Sequence, residues 1–259
     1  MIIQAEKKAY HPTDNFIQME RQLEVKKLNQ ITPIIYPLHK SKSTSKEHET
    51  IDKNYLWLIF KQYFKIISGR AFKETKESIN NISAVFYYFL RDESFNYHPN
   101  VKMELSKPSF DKGLLIIGDY GIGKTDCMKA LELCLKQIKK NRFKIYSTNE
   151  IVQKFEICTS SFDKQNFYNQ MKLGTDLYDD LTTERLASNF GRVNIMKEIF
   201  EERYNHRKLT HAIANYHEEY KNDVEAALEN LGTFYGNRFY DRIFEMFNIV
   251  VFTGKSMRR

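Results

Sequence analysis

The sequence predicts an α/β fold: a five-stranded parallel sheet flanked by helices, with a small helical region ahead of it. Short apolar runs alternate with amphipathic stretches between residues 113 and 252, the pattern of strands joined by helical crossovers. A glycine-rich octapeptide, Gly118 to Thr125, separates the first run from the first of those helices. Two further helical stretches lie upstream, set off from the N-terminus by a Pro- and Ser-containing linker.

In chain order, residues 1–50 read as an N-terminal segment and linker expected to be flexible. Ile17, Leu23 and Leu28 are too sparse for a helical face, and Pro33, Pro37 and Ser41 to Lys46 contribute almost no large apolar residue. Residues 51–95 form the helical region. Tyr55, Leu56, Ile59, Phe60, Tyr63, Phe64 and Ile67 recur at helical spacing up to Gly69, and Ile82, Val85, Phe86, Phe89 and Leu90 mark a second helix. These two helices are expected to pack on each other or on the domain that follows. That domain spans residues 96–259, and in the lead-in loop to its first strand, Phe95 to Pro108, Phe95 and Tyr97 are candidates to flank an adenine ring.

Leu114 to Ile117 is apolar on both faces, as a buried parallel strand requires. Gly118-Asp119-Tyr120-Gly121-Ile122-Gly123-Lys124-Thr125 then satisfies G-x-x-x-x-G-K-[ST] at every fixed position. Cys127, Met128, Leu131, Leu135 and Ile138 begin a helix directly behind it. Strand, loop and helix in that order make a P-loop. Its glycines let backbone N–H groups approach phosphate oxygens at the positive end of a helix, Lys124 reaches the β- and γ-phosphates, and the Thr125 hydroxyl can ligate Mg2+. ATP and Mg2+ are therefore the expected cofactors.

The second strand is expected at Phe143 to Ser147, followed by a helix that Asn149 caps. Between Cys158 and Leu173, Phe162, Phe167 and Tyr168 interleave with Lys164 and Lys172. Helix packing explains that pattern, as does stacking of single-stranded bases on rings beside lysines. Asp179 and Asp180 close the third strand. Hydrolysis needs one carboxylate to hold magnesium, assigned to Asp179, and another to orient or deprotonate water, assigned to Asp180. Leu209 to Ala214 is the fourth strand, and Asn215 at its tip can hydrogen-bond the γ-phosphate or cap a helix. Phe239 to Phe247 reads as helical, and Ile249 to Phe252 as the fifth strand.

Hydrophobic residues make up 42% and charged residues 28% of the 259, values of a folded globular chain. The net charge of +7 favours an acidic partner such as nucleic acid. Three cysteines make no disulfide framework, and neither a leader nor a membrane-spanning run is evident, so a cytoplasmic protein without membrane contact is expected.

From about Ser109 onward the chain resembles the AAA+ ATPases of the DnaC and IstB group, bacterial and phage helicase loaders and transposition helpers. The resemblance rests on Gly118 to Thr125 and on Tyr178-Asp179-Asp180-Leu181 with Glu184 behind it. It extends through Asn189-Phe190-Gly191, Asn194, Glu202-Arg203-Tyr204, Asn215, Tyr235 to Arg242 and Gly254 to Arg258. It implies that Arg242 is an arginine finger reaching the next subunit of a homo-oligomer, and that Arg258 is a sensor 2 arginine in its own subunit. It further implies an ATPase stimulated by assembly or DNA, most simply a loader acting on single-stranded DNA or a replicative helicase. A transposon-type ATPase acting on duplex DNA with a transposase, or an adaptor with little hydrolysis, are the alternatives. Three departures stand out: the third strand is less apolar than the group's, with Thr182 in place of a common glycine; Ala214 precedes Asn215 where threonine is usual; and Tyr216 to Phe234 is long and acidic.

Overall fold

Asp52 starts the first helix, its carboxylate accepting the Asn54 N–H at 2.8 Å, and α1 runs Lys53–Ser68 to a left-handed Gly69 at φ 72°. Thr75 and Ser78 form a reciprocal capping box for α2, Lys76–Phe89. The computed structural model describes residues 51–189 and 191–257, within the unit Glu49–Arg259. The expectations for residues 1–50, Phe190 and Arg258 lie outside the described residues.

The sheet is built from β1 (Gly113–Ile117), β2 (Lys144–Ser147), β3 (Asp176–Asp179), β6 (Thr210–Ala214) and β7 (Phe247–Val251). Their order is β2-β3-β6-β1-β7 and every neighbour is parallel. A short antiparallel hairpin, β4 (Ala187–Ser188) and β5 (Arg192–Val193), stands apart from it. The connecting helices are α3 (Lys124–Ile138), α4 (Thr148–Glu156), α5 (Ser161–Met171), α6 (Ile195–Asn205), α7 (Val224–Tyr235) and α8 (Asn237–Met246). The expected five-stranded parallel sheet flanked by helices is therefore present. Among the described residues no helix is long and apolar enough to cross a membrane.

Alternation along β1 divides the core. Leu114 and Ile116 face α1, α2 and α3, whereas Leu115 and Ile117 face α4 to α8. The two upstream helices thus share a core with the phosphate-loop strand and α3: Phe60, Phe64 and Phe86 cluster with Leu114, Met128 and Leu131. Trp57 stacks on Phe60 with ring centroids 5.7 Å apart.

Several local expectations are corrected. Helix α4 follows β2 without a loop, so Ser147 is its N-cap residue and Asn149 lies inside it. Phe95 is fully buried against Tyr88 and Phe110 and belongs to the core, whereas Tyr97 is exposed. In α5, Phe167 is buried and the Tyr168 hydroxyl bonds Glu198, leaving Phe162 as the exposed ring. Asn215 caps no helix, because α7 takes Asp223 as its N-cap. The long acidic stretch is a loop up to Asp223 and then α7, whose Glu225 and Glu229 face solvent while Ala227, Leu228, Leu231 and Tyr235 are buried.

The polar start of β3 has a structural cause. Asp176 is 2% exposed and accepts from Arg203 Nη1 at 2.7 Å. Arg203 is itself 0% exposed and spends its other donors on Thr210 Oγ1 and on the carbonyls of Met171, Gly174 and Leu209, at 2.7–3.0 Å. A charged residue here is thus compatible with a buried strand.

Candidate nucleotide site

The octapeptide joins the carboxyl end of β1 to α3, the edge of an open parallel sheet where ligands bind. Gly121 and Gly123 take φ values of 76° and 90°, which β-carbon-bearing residues rarely adopt. A β-carbon on Gly118 would sit 2.6 Å from the Phe252 carbonyl oxygen, so the loop must turn at a glycine there. Helix α3 begins at Gly123, which has no side chain to cap it, and its first-turn N–H groups are left for an external acceptor. Asp119 Oδ1 accepts from the Tyr120 N–H at 2.8 Å, Ile122 is buried in the core, and the Tyr120 ring is exposed.

The sheet order puts the tip of β6 between the loop and the tip of β3, and four polar side chains meet there. Lys124 is only 5% exposed, and its ammonium donates to the carbonyls of Gly118 (2.7 Å) and Asp119 (2.8 Å) and to Asn215 Oδ1 (2.8 Å). Thr125 Oγ1 donates to Asp179 Oδ1 at 3.1 Å, and the same oxygen accepts the Asp180 N–H at 3.0 Å. The structure therefore brings Lys124, Thr125, Asp179 and Asn215 together. Asp179 is buried, and burial followed by the adjacent Asp180 charge pushes its pKa up to about 6.

Asp180 is exposed beside this cluster in a left-handed conformation at φ 58°. Thr182 follows at φ 69°, so two residues with β-carbons hold a turn that glycine would adopt without strain. Three contacts fix it: the Thr148 hydroxyl donates to the Asp180 carbonyl at 3.0 Å, the Thr182 N–H to the Tyr235 hydroxyl at 3.0 Å, and that hydroxyl to Glu184 Oε1 at 2.7 Å. The sequence singles out Glu184 and, as part of the run up to Arg242, Tyr235, but not Thr148 and not the role of Tyr235 at this turn; no local pattern marks either, since they come from α4 and α7.

Arg242 is not brought to this cluster. It lies on α8, five residues before Phe247, and Phe247 pairs with Gly113 at the strand ends away from the loop. Its guanidinium carbon lies 4.3 Å from the centre of the Tyr204 ring, and one of its nitrogens is buried without a hydrogen-bond partner among the described residues. Arg238 is exposed on the same helix. A cavity of about 540 Å³ opens on that far edge, lined by Tyr204, Arg207, Lys208 and Glu245 among others. Its mixed charges lack the N–H-rich loop that phosphate recognition needs, so the loop remains the candidate site.

The loop's residues fit a nucleotide polyphosphate: left-handed glycines, an uncapped helix start and a buried ammonium lie within one turn of chain. Among the described residues no group of three or more acidic, His or Cys side chains forms a metal cage. A hydroxyl and one carboxylate are instead the sparse donor set of a Mg2+ ion that travels with phosphate.

Comparison with family models finds no match, and no curated protein matches. Solved structures do. The crystal structure of the DnaC helicase loader is 19% identical, with 78% of this chain and 100% of that chain covered and a TM-score of 0.50. DnaI is 19% identical over 77% and 93% of the two chains, with a TM-score of 0.44. A putative primosome component from Streptococcus pyogenes serotype M3 is 17% identical over 71% and 84%, with a TM-score of 0.46. At these identities the likeness is one of architecture: the chain has the fold of the DnaC helicase loader, a five-stranded parallel sheet flanked by helices with a phosphate loop behind its first strand.

Proposed function

We propose that the chain binds and hydrolyses ATP and works as an assembly-dependent loader in DNA replication, acting on single-stranded DNA or a replicative helicase. The observation that carries the nucleotide reading is the junction of Lys124 with Asn215 and of Thr125 with Asp179 at one edge of the sheet. Gly118 to Thr125 would enclose the phosphates in backbone N–H groups. Lys124 would exchange part of its carbonyl contacts for the β- and γ-phosphate oxygens, and Thr125 with Asp179 would hold Mg2+. When bound, that ion neutralises charge between the two terminal phosphates. Asp180 would orient and deprotonate the attacking water, and Asn215 would bond the γ-phosphate or that water.

The placement of Arg242 away from its own loop supports a role in trans, in which a neighbour's guanidinium stabilises charge on the transferring phosphoryl group. Turnover would then depend on a homo-oligomer. Arg258 is proposed as the cis arginine. The loader reading draws on the fold shared with DnaC and on the basic charge balance.

The test is ATP turnover of the full chain with single-stranded DNA, duplex DNA or a replicative helicase added. Stimulation by single strands or helicase is expected, with Lys124→Ala losing nucleotide binding. Asp180→Asn should keep binding but lose about 10²–10⁴-fold in rate. Activity restored on mixing Lys124→Ala with Arg242→Ala subunits would support the trans arginine. Turnover equal in wild type and Asp180→Asn sinks the hydrolytic reading, and stimulation by duplex alone moves the function to the transposon-type class.

A further inference from the structure

The segment after β7 does not leave the body of the protein. Phe252 N–H donates to the Ile117 carbonyl at 2.8 Å, and Met257 N–H donates to the Gly121 carbonyl inside the phosphate loop at 2.8 Å. A β-carbon on Gly123 would stand 3.1 Å from the Met257 sulfur, so the Met257 side chain lies directly over the residue that starts α3. Residues 253–257 thus cross the loop.

Residues of the upstream helices hold this crossing segment at both ends. At its start, Asn81 of α2 is 3% exposed and brackets Thr253, donating to its carbonyl at 2.7 Å and accepting its N–H at 2.9 Å. Asn100 reinforces that clamp, donating to Asn81 Oδ1 at 2.9 Å and to the Val251 carbonyl at 2.7 Å. At its end, Arg70 donates through Nη1 to the Met257 carbonyl, while its Nη2 lies 3.9 Å from Asp126, the residue after Thr125. Arg70 is itself fixed just past α1, since Ser68 Oγ donates to the Arg70 carbonyl at 3.0 Å and accepts its N–H at 3.3 Å.

We propose that Arg70 is a positioning residue of the nucleotide site, holding residues 253–257 across the phosphate loop so that α1 and α2 set the loop's affinity for nucleotide. This rests on the nucleotide reading above. The physical reason is local. The Gly121 carbonyl and the Gly123 backbone belong to the part of the loop that must point its N–H groups inward, and both are touched by Met257. Without Arg70, the Met257 carbonyl loses this partner, and its N–H bond to Gly121 and the packing of its side chain against the core hold that end of the segment less tightly. Arg70 reaches the loop only through that segment and Asp126.

The test uses fluorescent ATP and ADP analogues and hydrogen exchange on the full chain, on Arg70→Ala, on Arg70→Lys and on a chain stopped after Lys255, alone and combined with Arg70→Ala. Arg70→Ala should weaken nucleotide binding about tenfold, within the usual span of coupling between sites. Arg70→Lys, which keeps a donor for the Met257 carbonyl but loses the second nitrogen beside Asp126, should fall between. In the shortened chain Arg70→Ala should cost clearly less than in the full chain, because the carbonyl it holds is gone and of its two routes to the loop the Asp126 contact remains. An equal loss in both backgrounds, or none in the full chain, overturns the proposal. Hydrogen exchange of residues 253–257 separates this from failure of the nucleotide reading. Faster exchange in Arg70→Ala supports the clamp even if no nucleotide binds, and unchanged exchange overturns it.

Discussion

Removing the Arg203 side chain while keeping its bulk tests how β3, and with it Asp179, is held. In Arg203→Met the Asp176 carboxylate stays buried without its cation, and the carbonyls of Met171, Gly174 and Leu209 lose their donors. Breaking one side of a buried ion pair costs about 3–5 kcal/mol. The three orphaned carbonyls account for roughly 1 kcal/mol each, so the uncompensated charge supplies the rest. Adding Asp176→Asn should therefore recover only about 1–2 kcal/mol, since the carbonyls remain unpaired. Urea unfolding followed by the single tryptophan, Trp57, reads this out, because its ring stacks in the core shared by α1 and β1. The sign also depends on pH. Burial already holds the Asp176 pKa above its ordinary value, with Arg203 opposing that rise; in Arg203→Met it rises further, so the folded chain regains stability as pH falls through that raised pKa. A loss below about 1 kcal/mol, or a double variant whose losses simply add, would refute the claim that this pair and its carbonyls form one unit.

Three further outcomes are expected. Magnesium-dependent nucleotide affinity should fall as pH drops through about 6, where burial and the Asp180 charge place Asp179, because a protonated carboxyl cannot ligate the ion; titrations of fluorescent nucleotide between pH 5 and 8 check it. His211 is fully buried, its Nδ1 accepting the Leu114 N–H at 3.0 Å, and burial lowers its pKa to about 3. A depressed folded-state pKa gives stability that is complete above the unfolded value and lost below it, about 2 kcal/mol by pH 5. His211→Gln should show a flatter pH profile of urea midpoints. Thr182→Gly, by relieving a left-handed residue at φ 69°, should leave stability unchanged or raise it by up to about 1 kcal/mol, measured by the same unfolding.

What the sequence made legible was whatever depends on neighbours in the chain. The loop at 118–125, its strand and its helix are contiguous; apolar runs placed four of the five strands of the sheet to within about two residues, and the Asp179-Asp180 pair marked the third. What it hid depends on partners far along the chain. Asp176 looked like a flaw in β3 because Arg203 lies 27 residues away. Phe95 looked free for a ligand because its cover, Tyr88 and Phe110, comes from two other segments. Asn149 was a reasonable cap by type, but β2 runs straight into α4, and no spacing rule records the missing loop. Within the candidate site, Lys124, Thr125, Asp179 and Asn215 were all readable as types at the ends of strands. Thr148 and the role of Tyr235 were not, because both act on backbone groups of the Asp180 turn rather than through any motif.

Tyr235 is also the last residue of α7, and the next residue, Gly236, is the N-cap of α8, which carries the exposed Arg238 and the half-buried Arg242. A single phenol oxygen therefore joins the turn at Asp180 to the end of α7 that leads into α8. A displacement of α8 that carried Tyr235 with it would therefore break the hydrogen bond that pins the Thr182 N–H beside Asp180.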